Sequence, residues 1–236
     1  MLKQKVLFVD LETAPNLAYV WEKYEQNVIA FKKERYLLCY AYKWLGEKEV
    51  KADSLNKLSQ KQLVRKLHKL FDEADIIIAQ NGDNFDIKMA NAFFIKFGLT
   101  PPSPYKTIDT LKIARNKFRF NSNRLDDLGE YLGLGRKIKT DKDLWFGCMA
   151  GKKESWDKMI KYNIQDVVLL EKVYDKLSSW ATNSPAIYID ITKCLKCGSD
   201  KIRHRGWYYS NGGKTKRKKI SCNCCGKWSF GKNEKV

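Results

Sequence analysis

Apolar residues along the chain fall into short blocks whose spacing shifts between continuous and helical. Residues 5–11 (KVLFVDL) form a brief apolar run of the kind that makes a central buried strand. Residues 36–44 (YLLCYAYKW), dense in aromatics, predict a second strand, and residues 47–52, after Gly46, its hairpin partner. Leu63, Leu67, Leu70 and Phe71 recur at helical spacing within 58–74. The run IIIA at 76–79 predicts another buried strand. Residues 87–97 predict a helix that stops at Gly98, with Pro101 and Pro102 just beyond. Residues 106–109 predict a short strand, and 125–132 and 156–180 predict helices. A meander followed by alternating helices and strands predicts an α/β fold, a mixed sheet with helices packed on it.

Composition narrows the classes. A chain of 236 residues holds one or two domains. With 44% apolar and 13% aromatic residues, global disorder is excluded. No apolar run approaches the roughly 20 residues of a membrane span. The run 6–9 ends at Asp10, too short for the core of a signal peptide. The expectation is a soluble, cytoplasmic protein with no membrane partner. Charge changes the picture more: 45 Lys and Arg oppose 27 Asp and Glu, a net +18 that favours a polyanionic partner such as nucleic acid. Residues 186–236 carry 13 of the basic and 3 of the acidic residues, with five of the seven cysteines. The shift predicts two domains, 1–181 and 186–236, joined through an Asn-Ser-Pro linker.

Three acidic motifs carry candidate chemistry. Asp10 and Glu12 form a D-x-E pair at the end of the first strand, on one face by strand alternation. Two carboxylates so placed repel unless a cation lies between them, although a D-x-E pair alone is usually just a solvated strand end. Asn81-Gly-Asp-Asn-Phe-Asp86 follows the IIIA strand and leaves Asp86 at a helix start, where an Asp also serves as a cap. Tyr162 and Asp166 lie one turn apart on one face of the late helix. Alone, Tyr162 reads as a packing residue.

Taken together, Asp-x-Glu, Asn-x-x-x-Phe-Asp and Tyr-x-x-x-Asp in this order resemble the DEDD superfamily of 3′–5′ exonucleases over roughly residues 5–176. Residues 106–111 (KTIDTL) and 124–134 (RLDDLGEYLGL) are weaker matches. Tyr at 162, with Lys161 where the histidine form carries its base, resembles the tyrosine subclass. The resemblance implies a ribonuclease H-like fold, a five-stranded mixed sheet with helices on both faces. It implies that Asp10, Glu12, Asp86 and Asp166 hold two Mg²⁺ or Mn²⁺ ions and that Tyr162 orients the attacking water. It implies release of nucleoside 5′-monophosphates from single-stranded nucleic acid, DNA favoured over RNA, with a polymerase or another replication or repair protein as a possible partner. It also places Thr13 and Asn81 near the terminal nucleotide. Asp83 adds an acidic residue to the middle motif, and Phe85 before Asp86 favours Asp86.

The tail carries its own signal. Cys194-x-x-Cys197 and Cys222-x-x-Cys225 match the paired thiolates of a structural Zn²⁺ site, with Cys224 surplus and His204 a weaker ligand. Disulfides are the competing use, and no secretory signal supports them. Residues 206–210 and 214–221 around Asn-Gly-Gly predict a hairpin, and the whole resembles a zinc ribbon. Trp207 and Tyr208, with Lys216, Arg217, Lys218 and Lys219 on the opposite arm, suit stacking and phosphate contact on single strands. Aromatics also serve as core in so small a unit. A second function class stays open: a non-catalytic nucleic-acid-binding protein built on an inactive nuclease fold.

Overall fold

The computed structural model describes residues 3–24, 27–182 and 184–236; Asn183, in the expected linker, lies outside them. In chain order the elements begin with β1 (Val6–Thr13), β2 (Leu17–Tyr19), β3 (Ala30–Lys33), β4 (Leu37–Trp44), β5 (Lys51–Ser54), α1 (Gln60–Glu73) and β6 (Ile76–Ala79). There follow α2 (Asp86–Lys96), β7 (Lys106–Asp109), α3 (Thr110–Lys117), α4 (Leu125–Tyr131), α5 (Lys142–Met149) and α6 (Lys153–Leu177). The tail holds β8 (Ile202–Ser210), β9 (Thr215–Cys222), β10 (Trp228–Phe230) and β11 (Glu234–Lys235).

Five strands form a mixed sheet in the order β5-β4-β1-β6-β7. β4 runs antiparallel to β1, and β6 runs parallel to it. The central place of β1 explains its continuous apolar run, because both faces are covered. Val6 and Phe8 pack toward α3, α4 and α6, whereas Leu7, Val9 and Leu11 pack toward α1 and α2. Alternation then carries Asp10 and Glu12 to the α6 face at the end of the strand. Helices therefore lie on both faces, as expected.

Several boundaries differ from the sequence pattern. β1 continues past Leu11 to Thr13, because β4 pairs with it as far as Leu37. The partner of β4 is residues 51–54 rather than 47–52, since Gly46 takes a left-handed turn (φ 99°) and Glu47–Lys48 complete it. The last long helix spans 153–177 rather than 156–180. Beyond Leu177 the chain tightens into turns, Trp180 N donating to Leu177 O at 3.0 Å, and Lys227 donates to the carbonyls of Ser178 and Ala181. The β2–β3 hairpin, α3 and α5 were not expected.

The tail folds on β9, which pairs with β8, β10 and β11. Asn211, Gly212 and Gly213 all take positive φ in the β8–β9 turn, where glycine has no Cβ to clash. The tail leans on the end of α6. Lys196 Nζ donates to Asp175 O at 3.1 Å, and Ser179 Oγ donates to Cys225 O. A cavity of about 350 Å³ lies at this junction, walled by Tyr174, Ile187, Lys219, Trp228 and Phe230 among others.

Candidate active site and cysteine cluster

Carboxylate oxygens of Asp10, Glu12 and Asp166 all lie within 4.8 Å of one another. Asp10 and Glu12 come from the end of β1, and Asp166 from the middle of α6 where it crosses the sheet. Asp86 adjoins them from the first turn of α2. Its Oδ1 accepts from Leu11 N at 2.9 Å, which ties α2 to β1. Asp83 points elsewhere and pairs with Lys112 at 2.6 Å. The middle motif thus turns Asp86, not Asp83, toward β1.

Carboxylates crowded this closely, Asp86 and Asp166 buried and Asp10 and Glu12 half-buried, cannot all be comfortably ionised. Burial, then the charges of Asp86, Glu12 and Asp166, push the Asp10 carboxyl well above the usual range. Burial and Asp166 push Glu12 up to about 8. Burial pushes Asp86 up to about 7 against the pull of the Leu11 N–H. Burial raises Asp166 as well, with Lys137 opposing it. Tyr162, buried beside Asp166, has its phenol pKa raised by burial and by that negative charge.

Three neighbours steady the cluster. Asn163 is fully buried, and its Nδ2 donates to Asp10 Oδ2 at 2.6 Å and to Asp10 O at 3.1 Å. The Cys39 thiol stands 3.7 Å from Asn163 Oδ1 and orients that amide. Trp145 Nε1 donates to Glu12 Oε2 at 3.2 Å, and its ring meets Tyr162 edge-on. α5 brings Trp145 there because Gly147 lets it approach α6; a Cβ on Gly147 would lie 2.0 Å from Ser155 Oγ. The third neighbour is Lys137, whose Nζ lies 2.6 Å from Asp166 Oδ2 and 5.0 Å from the Tyr162 ring centroid. Burial opposes the Lys137 charge, but Asp166, Asp10 and Glu12 outweigh it and raise its pKa.

The donor set fits hard divalent cations. It consists of carboxylate oxygens, and both oxygens of the fully buried Asp166 lack a well-directed hydrogen bond. Lys137 supplies positive charge there without that directionality.

Thr13 and Asn81 lie outside the carboxylate cluster. Thr13 ends β1 opposite Leu37, and Asn81 follows β6, its side-chain oxygen accepting from Asn84 at 3.4 Å.

In the tail, Cys194, Cys197, Cys222 and Cys225 bring their sulfurs within 4.8 Å of one another. Cys194 and Cys225 approach to 3.6 Å, and Cys197 and Cys222 to 3.7 Å. Cys222 is pushed down to about 7: backbone N–H groups of Cys225 and Cys224 outweigh its burial. Cys224 is exposed and supplies its backbone N–H to Cys222 Sγ at 3.4 Å, so its thiol stays outside the cluster. This four-sulfur arrangement is compatible with a zinc ribbon. On the strands, Trp207 faces Lys216 and Lys218, with ammonium-to-ring distances of 4.8 and 5.6 Å. Tyr208 pairs with Arg217 and Phe230 with Lys219, on the other face. Aromatics and cations thus share both faces of the ribbon.

A family model described as the RNase H superfamily matches residues 7–178. The chain belongs to the RNase H superfamily. Over 71 residues, 30% of the chain, it is 41% identical to a PolC-type DNA polymerase III of Ureaplasma parvum serovar 3. A family B DNA polymerase from the hyperthermophilic archaeon Pyrobaculum calidifontis aligns over 88% of the chain with a TM-score of 0.53 at 12% identity, a likeness of fold. The chain spans 5% of the first protein and 31% of the second. In this RNase H-like body the matched segment closes at the end of α6, and the cysteine cluster falls beyond it. No helix among the described residues is long and apolar enough to cross a membrane.

Sequence reasoning missed Lys137, Trp145 and Asn163. Asn163 alone left a trace, as a polar residue beside Tyr162 on a helix flanked by apolar positions.

Proposed function

We propose that the chain is a metal-dependent 3′–5′ exonuclease of the DEDD type, tyrosine subclass, releasing nucleoside 5′-monophosphates from single-stranded nucleic acid, DNA favoured over RNA. The observation that carries this reading is the convergence of Asp10, Glu12 and Asp166 within 4.8 Å, with Asp86 adjoining and Tyr162 beside Asp166. Two Mg²⁺ or Mn²⁺ ions on these carboxylates would polarise a water and neutralise the leaving 3′-oxygen. The chain's own groups do the rest. Tyr162 orients the water through its hydroxyl, and its raised pKa keeps that hydroxyl a proton donor. Asn163 fixes one Asp10 oxygen so that the other faces the site. Trp145 does the same for Glu12. In this reading Thr13 and Asn81 would meet the terminal nucleotide, as the resemblance implies.

In this reading residues 1–181 are the catalytic domain, and residues 186–236 are a ribbon holding one Zn²⁺ through Cys194, Cys197, Cys222 and Cys225. Trp207, Tyr208, Lys216, Arg217, Lys218 and Lys219 contact the strand from there. The named relatives are DNA polymerases, which supports DNA as substrate and a polymerase or repair protein as partner. The test is release of labelled nucleotides from single-stranded DNA and RNA marked at the 3′ or 5′ end, with Mg²⁺ or Mn²⁺. Stepwise monophosphate release from the 3′ end is expected. Binding without release, in either metal, would leave the non-catalytic nucleic-acid-binding protein.

A further inference from the structure

The β2–β3 hairpin stands apart from the other two sheets, and both of its strands are exposed. It carries large apolar side chains: Tyr19 is 56% exposed, Trp21 81%, Tyr24 85% and Phe31 49%. An isolated two-stranded hairpin is marginally stable in water, and an apolar strip of this size on a surface marks a binding site.

Its root fixes where that site is. The hairpin leaves β1 just past Glu12 and returns into β4, closed by Ala14 N donating to Tyr36 O at 2.9 Å. It is also braced against α2, the helix that begins at Asp86. Lys96 pairs with Glu34 at 3.2 Å, and Arg35 Nη1 lies 3.9 Å from Met89 Sδ. The aromatic strip therefore rises from β1 and is braced against α2, the two elements that carry three of the four site carboxylates.

Its chemistry is mixed in a particular way. Lys32 and Lys33 follow Phe31 on β3, and Lys33 Nζ lies 3.9 Å from the Tyr36 ring centroid. Lys23 stands over the Tyr24 ring at 5.4 Å. Glu34, beside the two lysines, is occupied by Lys96. Flat rings interleaved with cations match alternating bases and phosphates. A purely apolar partner would gain nothing from the lysines.

We propose that the β2–β3 hairpin is a stacking surface for single-stranded nucleic acid, holding the nucleotides that lead into the carboxylate site. The choice of occupant rests on the nuclease reading; the surface itself rests on exposure, root and charge.

The test measures anisotropy of a labelled single-stranded oligonucleotide on the full chain in chelator, so that binding is read without cleavage. Tyr19→Ser/Tyr24→Ser/Phe31→Ser should raise the Kd about tenfold or more while leaving the thermal midpoint unchanged. Lys32→Glu/Lys33→Glu should weaken binding and flatten its salt dependence by roughly 0.7 per lost phosphate contact. Wild-type affinity in both variants overturns the proposal. Weakened binding in the variants of a chain that releases no nucleotide with Mg²⁺ or Mn²⁺ supports the surface and defeats only the nuclease reading. A wild-type chain that binds no single strand overturns both.

Discussion

A single hydroxyl separates a proton-handling role for Tyr162 from a packing one. Tyr162→Phe keeps the ring contact with Trp145 and loses only the hydroxyl. Turnover should fall on the order of 10²-fold, with metal affinity nearly unchanged. Unchanged turnover in single-turnover kinetics would return Tyr162 to packing. Asn163→Ala should behave oppositely: Asp10 loses the donor that fixes it, and metal affinity, read by titration of Mn²⁺, should drop roughly tenfold or more. Titration offers a third check. Glu12 at about 8 and Asp86 at about 7 are raised above their unfolded values, which lie at about 4. Between those limits the folded chain binds more protons than the unfolded one, so metal-free stability falls as pH rises. Melting in chelator should show the midpoint falling from about pH 5 to about pH 8, and Mn²⁺ should reverse the trend. A Glu12→Gln variant should flatten it; an unchanged slope would mean that other groups set it.

At the scale of elements, legibility followed how local the cause was. β1, β4, β6, α1 and α2 were readable because burial on one or both faces writes a period into the sequence. Asp10 and Glu12 could be paired from alternation, and Tyr162 with Asp166 from helical spacing. Lys137 was not readable: its position depends on where the segment after α4 crosses α6, which no local pattern encodes. Trp145 was hidden for the same reason, since α5 has only eight residues and its place depends on Gly147 meeting Ser155. The β2–β3 hairpin lacks alternation because neither face is buried, so nothing marks it as a strand pair. The cysteine spacing was legible, and which of Cys224 and Cys225 joins the cluster was decided by the turn. One Zn²⁺ per chain is expected by metal analysis. Cys197→Ser should lower that content and unfold β8–β9, because the unit has little core of its own. Full zinc occupancy in this variant would move the ligand set elsewhere.

Across the whole molecule, α6 joins the two halves. Its middle carries Tyr162, Asn163 and Asp166, and its last carbonyls accept from Lys196 and Lys227 of the tail. Truncation after Thr182 should therefore do two things. On the proposed ribbon–strand contact, single-strand affinity and its salt slope should fall, as the lysines assigned to phosphate are lost. The thermal midpoint should also fall, because the carbonyls of Asp175, Ser178 and Ala181 lose their donors. A truncated chain with the original midpoint and affinity would show that the tail neither braces α6 nor holds substrate. A helix spanning that interval also sets a length. From Asp166 to Ser178 the axis rises roughly 18 Å at about 1.5 Å per residue. A stacked strand covers that in about five nucleotides at about 3.4 Å each. If the chain digests strands that the ribbon grips, as proposed, the rigid rod is a ruler: a strand worn down past that length would lose its hold on the ribbon, and digestion would run quickly to a short remnant and stall there.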